Sequence, residues 1–275
     1  MQSEPIPFRA LALVMSALNV DSAQFHPFEG PKPIAVFIQT DPWAMVMGSD
    51  TPRVAVYEDG TVLFLKKHKD ALRYHEKKLS GAELLDFRRR LAPVFGLKGW
   101  KTFYDMRPNV TDQPETMFFL RDGSRELATR VHGLMTTDTE LPAYFVFPSD
   151  QKPDVVPKEL LELHKRLCST DYPESKEWHP KYVEVMIWPY EYAPDASIVW
   201  PKEWPGIDSQ RSMKRGDSYS IFLDGVLLPE LRKFLETRQE KGAVEIAGKK
   251  WAVSWRLVFP SEPLWRNAFC GAKER

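Results

Sequence analysis

Apolar and polar positions alternate in short runs along much of this chain. Residues 54–64 read VAVYEDGTVLF: Val54 and Val56 share one parity, and after the break at Glu58-Asp59-Gly60 so do Val62 and Phe64. Alternation with period two predicts strands. Asp-Gly supplies the positive φ of a tight hairpin turn. Arg121-Asp122-Gly123 repeats the device between residues 117–120 and 127–131. Residues 34–39 (IAVFIQ) read as a buried strand, and 72–77 and 143–147 as short ones.

Helical spacing is confined to a few segments. Ser80 precedes GAELLDFRRRLAPVF with Glu83 three residues on, a capping box in which each residue satisfies the other's backbone N–H. Leu84, Phe87, Leu91 and Val94 then share one face. Pro157 opens KELLELHKRLC, a short amphipathic helix. The second half gives strands at 182–187, 219–223, 243–247 and 251–259, with a helix over 227–238. Hairpins with few helices predict an α+β protein of antiparallel sheets, covered on one face by a few helices.

The same pattern divides the chain. Residues 25–168 form an N-terminal α+β domain, the polar stretch 169–180 a linker, and 181–275 a C-terminal α+β domain carrying a Trp/Pro-rich loop. At 275 residues the chain is near the size at which single cores split. The 23 prolines exceed the usual level of roughly 5%. They recur at Trp188-Pro189, Trp200-Pro201 and Trp204-Pro205, and mark extended loops.

Residues 10–20 (ALALVMSALNV) are uncharged, follow Arg9 and precede the small residues Ser22 and Ala23. That length suits the core of a signal peptide over residues 1–24, and is too short for a membrane span. It implies a secreted or periplasmic protein. The other reading is a core helix in a cytoplasmic one.

Pro52, Val54, Val56, Asp59-Gly60-Thr61-Val62, Leu79-Ser80, Glu83-Leu84 and Thr111-Asp112-Gln113-Pro114 together carry a resemblance. Residues 34–167 resemble a domain of unknown function found in bacterial secreted proteins and lipoproteins. The resemblance implies a hairpin, a capped helix and a Thr-Asp-x-Pro strand entry. It carries no catalytic residue.

Charge narrows the partners. Lys+Arg and Asp+Glu are both 38, and the basic runs are short and flanked by acids. A neutral chain has no global electrostatic attraction to nucleic acid. Nucleotide-binding loops, nucleophile elbows, zinc-hydrolase helices and calcium loops are all missing, so no cofactor is expected.

Weaker constellations remain. Asp41-Pro42-Trp43 ends the first strand, Asp112 lies in the loop before the strand at 117–120, and His132 ends the strand at 127–131. Carboxylates and a histidine converging from these loops could do acid/base chemistry in a hydrolase. Each also has a purely structural role in capping or turn formation. Trp43, Trp188, Trp200 and Trp204 are candidate contacts for a protein, peptide or carbohydrate ligand, or else core cover. His164 and Cys168, four apart on one helix, could share a metal only with further ligands. Cys168 and Cys270 could form a disulfide between the halves in an exported protein, worth about 4–5 kcal/mol.

The expectation is an exported binding or interaction protein of uncertain catalytic status. A hydrolase using Asp41, Asp112 and His132, and an intracellular structural or immunity-type protein, are the alternatives. Oligomeric state is not encoded in any pattern above.

Overall fold

The computed structural model describes residues 25–40, 51–68, 71–108, 110, 112–134, 152–169 and 172–271. The protein is α+β, with two mostly antiparallel sheets and four helices among the described residues. In the first half β1 (Pro33–Thr40), β2 (Pro52–Tyr57), β3 (Thr61–His68) and β4 (Ala71–Lys78) lead to α1 (Gly81–Phe95). Then come β5 (Phe103–Asp105), β6 (Glu115–Asp122), β7 (Arg125–His132) and α2 (Lys158–Cys168). With β8 (Lys176–Glu177) they form an eight-stranded sheet in the order β5-β7-β6-β1-β2-β3-β4-β8. Only β5 runs parallel to its neighbour.

The second sheet has six strands, ordered β10-β13-β14-β9-β12-β11. They are β9 (Tyr182–Pro189), β10 (Asp195–Val199), β11 (Ser212–Arg215), β12 (Ser218–Asp224), β13 (Gly242–Ile246) and β14 (Lys249–Leu257). A 3-10 turn at Gly225–Leu227 runs into α3 (Leu228–Glu236), and α4 (Glu262–Gly271) closes the described chain. Residues 176–177, within the expected linker, are the strand β8 paired to β4.

The local signals explain the elements. At the β2–β3 turn, Gly60 has φ +85°, and a Cβ there would sit 2.9 Å from the Leu79 carbonyl oxygen. Asp59 accepts from the Thr61 N–H and hydroxyl at 3.0 Å and pairs with Lys78 at 2.6 Å. Burial raises its pKa, but the Lys78 and Thr61 bonds outweigh that and hold it below the usual carboxylate range. Beside it Arg121, then the Lys32 N–H, lowers the pKa of Glu58. At α1 the capping box is complete: Ser80 N–H donates to Glu83 Oε2 at 2.7 Å, and Glu83 N–H to Ser80 Oγ at 3.3 Å.

The central strands depart from the expected one-faced sheet. Phe37, Val54, Val56, Val62, Phe64, Phe118 and Leu120 pack beneath α1 and α2. Their alternate neighbours Val36, Ile38, Ala55, Tyr57, Leu63, Met117 and Phe119 are also buried, against Phe259, Trp265 and Phe269. The cover on this second face is α4, from the far end of the chain.

The exchange runs both ways. The segment before β1 begins on the second sheet: Phe25 and Phe28 both contact Phe222, at 5.6 and 5.8 Å between ring centroids. Ser261 ties the two ends together, its N–H donating to the Phe28 carbonyl at 2.7 Å and its hydroxyl to the Gly30 carbonyl at 3.0 Å. Each sheet is therefore finished by a segment from the other end of the sequence.

At the junction itself the backbone of the 3-10 turn crosses residues 180–181. The Gly225 N–H donates to the Lys181 carbonyl at 2.9 Å, and a Cβ on Gly225 would fall 1.7 Å from the Pro180 carbonyl oxygen. No relaxation of a flexible side chain relieves that overlap, because both parties are backbone. Gly225→Ala should destabilise the protein by about 3 kcal/mol or more. A urea unfolding curve showing a change below about 0.5 kcal/mol would show that this crossing is not fixed.

Candidate functional site

The expected site residues can be placed only in part. Asp41 and Trp43 lie outside the described residues, as does the strand expected over 143–147. Thr40 pairs in register with Glu115, so β1 ends beside the start of β6. Asp112, in the loop before β6, is exposed with φ 60°.

His132 sits in a row with two carboxylate residues: it is opposite Glu115 on β6 and Asp105 on β5. Each member is already engaged. His132 Nε2 is 2.9 Å from the Val110 carbonyl oxygen, so this nitrogen carries the proton and donates. Glu115 pairs with Arg130 at 3.2 Å, and Asp105 accepts from the Arg107 N–H at 3.0 Å. His132, Glu115 and Asp105 are thus each held by a separate partner within this strand end.

The cysteines are free and lie on opposite faces of the first sheet. Cys168 packs with α2 against one core, while Cys270 is exposed on α4, which covers the other face. A disulfide needs Cα atoms within about 7 Å, and a whole sheet intervenes. Cys168 Sγ lies 3.3 Å from His164 Nε2. Burial pushes the thiol up to about 11 and the imidazole down to about 4. Both are thus neutral near pH 7, opposite to the thiolate–imidazolium pair of a cysteine nucleophile. Among the described residues no group of three or more His, Cys, Asp or Glu could hold a metal.

Tryptophans follow their strand faces. Trp251 and Trp255 share one face of β14 with Val253, and pack with α3 in the second core. Trp200 is buried there too, its ring 5.0 Å from Trp204 and 5.8 Å from Phe234, with Nε1–H donating to the Pro205 carbonyl. Trp200 and Trp204 are therefore core cover on a sheet with a single helix on that face. Trp188 is on the opposite face of β9 and remains half-exposed.

Chemistry concentrates where the two sheets meet. Glu184 of β9 and Arg256 of β14 are register partners, so both side chains leave the same face of the second sheet. The Arg256 guanidinium reaches both Glu184 and Glu262, and Arg266, one turn along α4, also reaches Glu262. Glu184, Arg256 and Glu262 are 2%, 8% and 0% exposed. Glu262 Oε2 also accepts the Phe259 N–H at 3.2 Å, which fixes the entry into α4. On the other flank Ser220 Oγ donates to Glu184 Oε1 at 2.5 Å, and Arg215 Nε donates to Ser220 Oγ at 2.8 Å.

Two concavities flank this cluster and share Arg256 in their walls. The larger is an open groove of about 1330 Å³ between the β4 edge and the second sheet. Leu72, Arg73 and Trp178 line one side, and Val226, Arg232 and Trp255 the other. Leu72 and Val226 are 60% and 83% exposed. The Arg232 guanidinium lies 5.0 Å from the centre of the Trp255 ring. The smaller pocket, about 540 Å³, opens onto the Glu184 face and includes Trp188 and Arg215.

The β4 edge in the groove is partly unused. β8 pairs with His75 and Glu76, and the Trp178 N–H continues the ladder to the Tyr74 carbonyl at 2.9 Å. The next outward-facing residue of β4 is Leu72, and the same register sets it opposite Pro180, which has no N–H to give. Among the described residues no strand pairs with β4 there.

Comparisons of the chain with protein-family models, curated proteins and solved structures find no match in any of the three. Function must therefore be argued from the junction itself. Among the described residues no helix is long and apolar enough to cross a membrane.

Glu262 was not singled out in the sequence, although Glu262 and Arg266 stand at helical i,i+4 spacing. Removing one charge from a buried cluster leaves its partners uncompensated, at a cost of about 3–5 kcal/mol. Glu262→Gln should lower stability by about that amount in urea unfolding followed by far-UV circular dichroism. A loss below about 1 kcal/mol would show that the cluster does not hold α4 in place.

Proposed function

We propose that this is an exported binding protein, and that its partner is an extended peptide segment of apolar and acidic residues seated in the groove between the sheets. The unused β4 edge at Leu72, facing exposed Val226 and the Arg232–Trp255 pair, carries this reading. A groove of about 1330 Å³ exceeds the roughly 300–1,000 Å³ of small-molecule pockets. An extended chain adding to a sheet edge gains main-chain hydrogen bonds, and its alternate side chains fill the groove. Arg73 is already paired with Glu177 at 2.9 Å. Arg232 and Lys233 against Glu236 leave a cationic surplus on the opposite wall, which favours acidic residues in the partner.

Export rests on the uncharged run at 10–20. In protein purified from its native host, N-terminal sequencing should find a chain starting close to Ser22–Ala23. An intact Met1 in the mature protein would remove export from the proposal.

Binding is tested by selecting peptides from a random library on the protein and measuring them against a Leu72→Asp/Val226→Asp variant. Both positions are exposed, so folding should change by no more than about 0.5 kcal/mol each. Selected peptides should alternate apolar residues, include an acid and bind the variant at least tenfold more weakly. Peptides that bind both proteins equally would place the contact elsewhere and refute the groove.

A further inference from the structure

The smaller pocket has a composition that packing alone does not require. Its floor is the outward face of the second sheet, where Ser218 and Ser220 leave space beside Glu184 and Arg256. Among the described residues that line it, three guanidinium groups, on Arg215, Arg256 and Arg266, face two carboxylates, on Glu184 and Glu262, a surplus of one positive charge. The chain as a whole is neutral.

Arg215 carries the accessible part of that surplus. Its side chain is 56% exposed, yet it is held: Nε donates to Ser220 Oγ at 2.8 Å, and Nη2 lies 3.4 Å from Glu184 Oε1. Two of five N–H groups are thereby engaged and the fork is oriented by a buried acid. The buried Glu184 Oε2 lies against Arg256 without receiving an aligned hydrogen bond. Beside the charges the lining is apolar: Met186 and Trp188, which follow Glu184 along the same face of β9, and Phe28.

We propose that this pocket binds a small organic acid, its carboxylate on the Arg215 fork and its apolar or aromatic body against Trp188. The volume of about 540 Å³ is in the range of small-molecule sites. Planar guanidinium matches planar carboxylate bidentately, and an indole wall selects a flat body. This site does not depend on the peptide groove, so either can fail alone.

The probe is phenylacetate, measured by isothermal titration at low salt beside acetate, 2-phenylethylamine and inorganic phosphate. Phenylacetate should bind one to one, and 2-phenylethylamine should not. Arg215→Met should weaken phenylacetate at least tenfold. Trp188→Ala should weaken phenylacetate while leaving the response to acetate unchanged. If Arg215→Met does not fold, Arg215→Lys keeps the charge but not the fork and should still lose affinity severalfold. No phenylacetate binding, equal binding by a folded Arg215 variant, or binding of phosphate alone would overturn the proposal.

Discussion

Everything at the junction depends on keeping Glu184, Arg256 and Glu262 charged and out of water together. Buried ions of this kind are tolerated only when each has its counter-ion and hydrogen bonds in place. The cluster links a central strand of the second sheet to the first turn of α4. The rest of that helix then delivers Trp265 and Phe269 to the first sheet. One set of ion pairs thus fixes where a distant hydrophobic face finds its cover. Apolar burial drives the association, but it is not directional, and the guanidinium forks supply the register.

The two concavities follow from the same constraint. Because α4 and the 3-10 turn hold the sheets at a fixed approach, the β4 edge stands across from α3 and cannot collapse onto it. Pro180 ends the β8 ladder at the point where the chain must turn into the second sheet. The open edge is therefore a by-product of the crossing. Its exposed Leu72 is nevertheless unusual for an edge strand, which proteins commonly blunt with charge.

How much was legible varied with the range of the signal. The Asp59-Gly60 turn and the Ser80–Glu83 capping box depend on residues within four positions of one another, and the sequence shows them directly. The hidden features are those whose partner lies far away. Val36 and Tyr57 look like ordinary strand residues until α4 is placed beneath them. α4 itself has Pro263 at its start and only ten residues, so no long periodic stripe announces it. β5, three residues in parallel pairing, carries no pattern at all. At the site, Glu184 and Arg256 are matched by strand register alone, which alternation cannot reveal. Trp200 and Trp204 illustrate the converse: their loop position left ligand contact and core cover both open, and among the described residues α3 is the only helix that joins them in covering that face of the second sheet.

The exchange of chain ends also sets a biosynthetic order. During synthesis β1, β2, β3 and β6 are all available long before residues 262–271 emerge. Until those last residues are free, the face bearing Tyr57, Leu63 and Phe119 has no cover. The second face of the first sheet is therefore packed only after α4 has been made, however early its own strands pair.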